Sequence, residues 1–195
     1  MNTHYSFENG LLKMFDPDSG IDYEDRFIPA GIPEDLRNGL KIDETHTFKV
    51  FRFNNGSFEY SIEDNRGIWD GEYRLLYPGG SVRIQCYYKN GKVHGPSLFF
   101  SEDGIVLVET WFIEGKRTGK SFHRYLSGAK QSTQNYLDGV WHGKQIFWYE
   151  NGNEKTVMEY VHGKVDGKVY LYYPNGRLKR ELTFKEGKCI EHTNV

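Results

Sequence analysis

The amino-acid sequence predicts an all-β protein: an elongated single antiparallel sheet of six tandem 24-residue β-hairpins preceded by an irregular amino-terminal cap. Three observations predict it. Glycines recur at a fixed spacing, aromatic and β-branched runs lie between them, and aliphatic residues are too few for a thick core. Hydrophobic residues fill only 37% of the 195 positions while aromatics reach 16%, a balance that suits a thin, turn-rich sheet better than a helical bundle.

The spacing is regular. One series reads Gly56, Gly80, Gly104, Gly128, Gly152 and Gly176; a second reads Gly67, Gly91, Gly115, Gly139, Gly163 and Gly187; a third reads Gly71, Gly95, Gly119, Gly143 and Gly167. Dipeptides such as Asn55-Gly56, Asn175-Gly176, Asn90-Gly91 and Asp138-Gly139 tolerate the positive φ of tight hairpin turns. Between them lie strand-like runs such as Gln145–Tyr149 and Val169–Tyr173. Each unit therefore reads strand, turn, strand, turn, and at ~4.8 Å per strand about twelve strands extend roughly 55–60 Å.

Alternation along a strand sorts the side chains, with two-residue turns assumed. One face, the better buried, collects Phe51, Phe53, Tyr60, Leu75, Ile84, Phe99, Tyr136, Phe147 and Met158 among others, and Cys86 falls with them. The opposite face is mixed: Arg83, Glu109, Lys155, Lys179 and Glu181 sit among Tyr87, Leu98, Phe100, Trp111, Ile146, Trp148, Tyr170 and Tyr172. A single layer cannot bury both faces, and exposed aromatics with interspersed arginine have the composition of protein-binding hot spots. The candidate protein-binding stripe is Tyr87, Phe100, Trp111, Trp148, Tyr170 and Tyr172.

The repeats span 47–190 and a short tail follows at 191–195, too short for a further unit, so the last strand is expected to present a pairing or dimerisation edge. Residues 1–46 are acidic, with 10 acids against 4 bases, whereas 47–195 carry 17 acids against 21 bases. His4–Leu12 echoes a decayed repeat, and Phe15–Glu44, with Pro17, Pro29 and Pro33, reads as loop with one short helical turn near Pro33–Asn38.

Catalytic and metal chemistry is not indicated. His46, His94 and His142 share a repeat offset with Asp70, Thr118 and Asp166, but neighbours in that column are about 10 Å apart on a two-strand repeat, and a short polar residue before a turn glycine accounts for them. Cys86 and Cys189 read as buried packing residues, and Glu102-Asp103 as a solvated pair beside a turn. A ribbon of hairpins offers no concave pocket by construction. The expectation is a non-enzyme without metal or cofactor.

The run Gly167-Lys-Val-Tyr-Leu-Tyr-Tyr-Pro-Asn-Gly-Arg-Leu-Lys179, followed by Phe184-Lys-Glu-Gly-Lys188, resembles the variant MORN repeat and bacterial proteins of the YwqK type, which are named as antitoxins. The likeness covers about residues 47–190 and implies a MORN-like binding protein with antitoxin or immunity function. In that reading the partner is another protein, a toxin or effector, held by the aromatic stripe or the acidic leader. Asp16, Asp18, Asp22, Glu24 and Asp25 are phosphate mimics if the target cuts nucleic acid. A formal net charge of −2 argues against direct nucleic-acid binding. The array's net +4 is thin for a membrane surface, the alternative being a scaffold on phospholipid or a self-assembling one. The amino terminus lacks a basic and an apolar region of signal-peptide type, and no apolar run approaches the ~20 residues of a spanning helix, so a cytoplasmic protein is expected.

Overall fold

The computed structural model describes the backbone of residues 4–8, 11–16, 21–26, 39 and 41–194, with side chains at 39 and 41–192. Every regular element among them is a strand. β1 (His4–Glu8), β2 (Leu11–Asp16) and β3 (Ile21–Arg26) form a small antiparallel sheet in sequence order. A second sheet holds fifteen strands: β4 (His46–Arg52), β5 (Phe58–Asp64), β6 (Trp69–Leu76), β7 (Val82–Lys89), β8 (Lys92–Phe100), β9 (Val106–Ile113), β10 (Lys116–Arg124), β11 (Lys130–Leu137), β12 (Val140–Trp141), β13 (Gly143–Trp148), β14 (Glu154–Val161), β15 (Lys164–Val165), β16 (Gly167–Tyr172), β17 (Leu178–Lys185) and β18 (Lys188–Asn194). It is open, antiparallel and follows chain order, with β12 and β15 as short branches on β11 and β14. β3 interrupts the loop expected over Phe15–Glu44; the helical turn expected near Pro33–Asn38 lies outside the described residues.

The three glycine series do three different jobs. The first closes three-residue loops: the N–H of Tyr149 donates to the Asn153 carbonyl and that of Gly152 to the Tyr149 carbonyl, and the same pair recurs at Phe53, Tyr77, Ser101, Tyr125 and Tyr173. The second, except at Gly67, makes two-residue turns in which both central residues have positive φ, as at Asn90 (50°) and Gly91 (75°) between paired Lys89 and Lys92. The third lies in no turn. Gly71, Gly95, Gly119, Gly143 and Gly167 sit inside the outgoing strands or at the breaks beside β12 and β15, and mark bulges with positive φ.

The residue before each turn glycine of the second series explains the His/Asp column. Glu114, His162 and Glu186 take left-handed φ that costs an ordinary side chain about 1–2 kcal/mol. Their N–H groups donate to His94 Nδ1 (3.4 Å), His142 Nδ1 (3.4 Å) and Asp166 Oδ2 (3.2 Å), each twenty residues earlier. The column is a ladder of turn caps. Side chains also bridge its first gap, since His46 Nε2 lies 3.2 Å from Asp70 Oδ2 although the backbones are a repeat apart. On the opposite rim, the hydroxyls of Tyr77, Tyr125 and Tyr149 donate to the carbonyls of Phe100, Trp148 and Tyr172, twenty-three residues on.

Three-residue loops put a bulge residue on the following strand, where the register shifts. Arg83, Lys155 and Lys179 occupy it, so they leave the mixed face and place their charges 5.4–5.7 Å from the ring centres of Tyr77, Tyr149 and Tyr173.

The chain forms two compact units, the first running to Ile105 and adding Phe112–Gly115, the second made of Val106–Trp111 and Lys116 onward. In the first, Phe48, Phe58, Tyr60, Ile62 and Leu76 form an apolar cluster. Its faces differ from expectation because one hairpin is out of step. Ile84 faces Phe99, so one repeat earlier Tyr60 should face Leu75; Glu59 faces it instead. The cause is the loop Asp64–Ile68, where Asp64 Oδ1 accepts the N–H groups of Arg66 (2.8 Å) and Ile68 (3.0 Å) and Asp64 Oδ2 holds the Arg66 guanidinium at 2.6 Å. That loop is one residue longer than a two-residue turn, and a one-residue slip turns every side chain over. Tyr60 and Ile62 move to the face of Phe48 and become buried, while Phe51 and Phe53 are exposed. Ile62 then lies so close to β6 that a Cβ on Gly71 would stand 3.0 Å from the Ile62 Cβ.

In the second unit the interior face is largely polar. Ser121, Ser132, Gln134 and Gln145 are buried beside Tyr136 and Val169. Ser121 Oγ lies 2.5 Å from Thr110 Oγ1, 3.0 Å from the Glu109 carbonyl and 3.2 Å from His123 Nε2. The Tyr136 hydroxyl donates to Gln134 Oε1, and Gln134 Nε2 to Ser132 Oγ. Gln145, fully buried, fills the gap the bulge opens: its Oε1 accepts the Asn135 N–H at 2.9 Å and its Nε2 donates to the Asn135 carbonyl at 3.0 Å.

Candidate functional site

Two members of the expected aromatic stripe are not at the surface. Trp111 is 1% exposed and Tyr87 4%, so neither meets a partner in this state. Tyr87 shares its side of the first unit with the slipped apolar cluster and with buried Glu72, whose carboxylate receives Arg74 at 2.6 Å and Gln85 at 2.6 Å; Gln85 Nε2 also reaches the Tyr87 hydroxyl at 3.2 Å. Both rings serve as packing. Phe100 is half-buried and belongs to the first unit.

The remaining three, Trp148, Tyr170 and Tyr172, come together on one face of the second unit. Thr133 pairs with Ile146, Ile146 with Val157, and Val157 with Tyr170, which places these four in one row across β11, β13, β14 and β16. Trp148 and Tyr172 follow two residues beyond Ile146 and Tyr170 and so share that side. Tyr170 and Tyr172 stack with centres 6.5 Å apart. All three aromatics are half-buried, and burial raises the Tyr172 phenol above its ordinary value, so it stays a neutral donor.

Below the aromatic row the same face carries Lys120, Lys144 and Lys168, again at 24-residue steps. Lys168 Nζ is 2.6 Å from Glu181, whose hydrogen bond and charge raise the lysine's affinity for its proton. Around Lys120 and Lys144 the surface dips into an open hollow of about 490 Å³, lined also by Thr133, Asn135, His142 and Ile146. The bulge at Gly143 creates it by pulling the backbone out of register, and the Asn135 side-chain amide donates to the Lys144 carbonyl to hold the rim. The lysine column was readable in the sequence at the same period as the glycines; a search for aromatic hot spots passes over it.

The acidic candidates Asp16, Asp22, Glu24 and Asp25 lie on β2 and β3, whose side chains are outside the described residues, as is Asp18 altogether. Cys86 is buried, its thiol pushed up to about 12 by desolvation, whereas Cys189 is exposed on β18 rather than packed as expected. Glu102 and Asp103 are solvent-exposed, as expected of a turn pair. No group of three or more His, Cys, Asp or Glu side chains is arranged to hold a metal ion among the described residues.

Compared with known proteins, three segments, 69–90, 141–162 and 165–186, match the MORN repeat variant. They cover β6–β7, β12–β14 and β15–β17, two of the three in the second unit where the aromatic row lies. No curated protein matches the chain.

Proposed function

We propose that this protein is a non-enzymatic binding protein that uses the face bearing Trp148, Tyr170 and Tyr172 to hold another protein. The observation that carries the reading is the row itself: three large half-buried rings beside Ile146, on a sheet face that also holds an open hollow. Aromatic anchors of this kind dominate binding energy at protein interfaces, while a broad open face offers no enclosure to exclude water from a reaction.

The finer reading is an antitoxin or immunity protein that neutralises a toxin by occlusion. The match of three segments to the MORN repeat variant supports the repeat binding protein, and the antitoxin reading rests on the likeness of Gly167–Lys179 to bacterial antitoxins of the YwqK type. If the toxin acts on nucleic acid, the acidic leader with Asp16, Asp18, Asp22, Glu24 and Asp25 adds long-range steering. Co-expression with the product of an adjacent gene should then rescue growth. The triple variant W148A/Y170A/Y172A should lose rescue while remaining folded, each anchor contributing about 2 kcal/mol or more. Failure of every adjacent product to form a complex overturns the antitoxin reading. Strong, salt-sensitive sedimentation with anionic liposomes would instead favour a membrane-associated scaffold.

A further inference from the structure

Resting on that reading of the face, we infer that the hollow between Lys120 and Lys144 is a seat for a carboxylate presented by an acidic segment of the protein partner. Three observations converge on it. The hollow is lined by Lys120, Lys144, Thr133, Asn135, His142 and Ile146, and such a mixture of basic, polar and apolar residues fits a charged head with a short apolar stem. The His142 Nδ1 is occupied by the His162 N–H, which leaves Nε2 as the ring's remaining polar atom.

The lysines differ in how they are matched. Lys168 is neutralised at 2.6 Å by Glu181, whereas Lys144 has no ion pair among the described residues although Glu159 is its register partner. A cation held beside a hollow without a matching anion attracts one from outside. The surrounding charge agrees: residues 116–195 hold 14 bases against 8 acids, net +6, while the whole chain is net −2.

Glu159 and Glu181 stand among these lysines on the same face and repel a continuous polyphosphate. A protein segment, whose carboxylates alternate with neutral and apolar residues, can meet Lys120 and Lys144 and still lay apolar side chains along Ile146 and Tyr170. Successive lysines of the column are about 10 Å apart across two strands, which is the span of three residues in an extended chain.

The test is a ¹H–¹⁵N titration of the full chain with poly-L-glutamate, and in parallel with poly-dT at equal charge. Glutamate should move the amide signals of Lys120, Asn135 and Lys144 first. Apparent affinity should fall at least tenfold in K120Q/K144Q and less than twofold in K164Q/K188Q, lysines outside the hollow. Binding by K120Q/K144Q within twofold of the parent overturns the proposal, as does tighter binding of poly-dT. W148A/Y170A should leave glutamate binding unchanged, because its effect is read on the partner complex. An intact partner complex in that variant therefore sinks the interface reading without touching the seat, and a silent hollow sinks the seat without touching the interface.

Discussion

The two units use one hairpin repeat to build opposite interiors. The amino-terminal unit buries Phe48, Phe58, Tyr60, Ile62 and Leu76, and the carboxy-terminal unit buries Ser121, Ser132, Gln134 and Gln145, hydrogen-bonded in three separate groups. Apolar burial contributes about 25 cal/mol per Å² regardless of direction, while a buried hydrogen bond nets only about 1 kcal/mol and is costly to leave half made. The fold therefore does not depend on what fills its face. It depends on the turns and bulges that both units share, and the units differ in how they fail.

The largest effect should come from the apolar side. Phe48→Ala removes a ring that is 1% exposed and packs against Tyr60 at 5.4 Å, and should cost about 3–5 kcal/mol in chemical denaturation. A loss below about 1 kcal/mol would break the comparison there. Gln145→Ala leaves the Asn135 N–H without its partner in the polar unit and should cost about 1–3 kcal/mol. An equal loss in Gln145→Leu would assign the effect to the missing hydrogen bonds, and recovery in Gln145→Leu to filled volume.

Shared elements should respond alike in both units. Gly163→Ala puts a Cβ at φ 79° and 3.5 Å from the Val140 Cβ, for a cost of about 1–2 kcal/mol. Gly91→Ala, at φ 75° and 3.1 Å from Ile68 Cγ2, should fall in the same range or above it. Thermal unfolding of the two variants side by side checks the equivalence.

The smallest effect is on pH. Burial depresses the His94 ring's affinity for protons, with Lys89 adding to it, and burial with Arg117 does the same for His123. Both are held neutral in the folded chain, so the unfolded chain binds the extra protons. Stability is retained above the ordinary histidine value of about 6.5 and declines as pH falls below it. Protonation also removes the Nδ1 acceptor that caps the Glu114 turn. Denaturation midpoints at pH 7.5 and 5.5 should show the loss, and His94→Asn should reduce it.

The turns were legible in the sequence because glycine marks positive φ wherever it recurs. The turn types were not, since three-residue and two-residue loops carry the same glycine and differ in whether the preceding residue also turns left-handed. That difference decides which face a residue takes. The face assignment therefore held for Met158 and Leu171, which share the Gln145 and Thr156 side, and failed for Phe51 and Phe53, where Asp64 stands at an offset that carries Tyr88, Tyr136 and Tyr160 in later units. Burial of Trp111 and Tyr87 was hidden for a related reason: alternation gives a side, not what covers it.

Hydrogen exchange of the full chain, alone and with the proposed protein partner, tests the proposed interface most directly. Protection should rise in Gly143–Trp148 and Gly167–Tyr172 and stay unchanged across Val82–Lys89, where Tyr87 is already buried. Protection confined to His4–Arg26, with both aromatic strands unaltered, would contradict the assignment of the binding face.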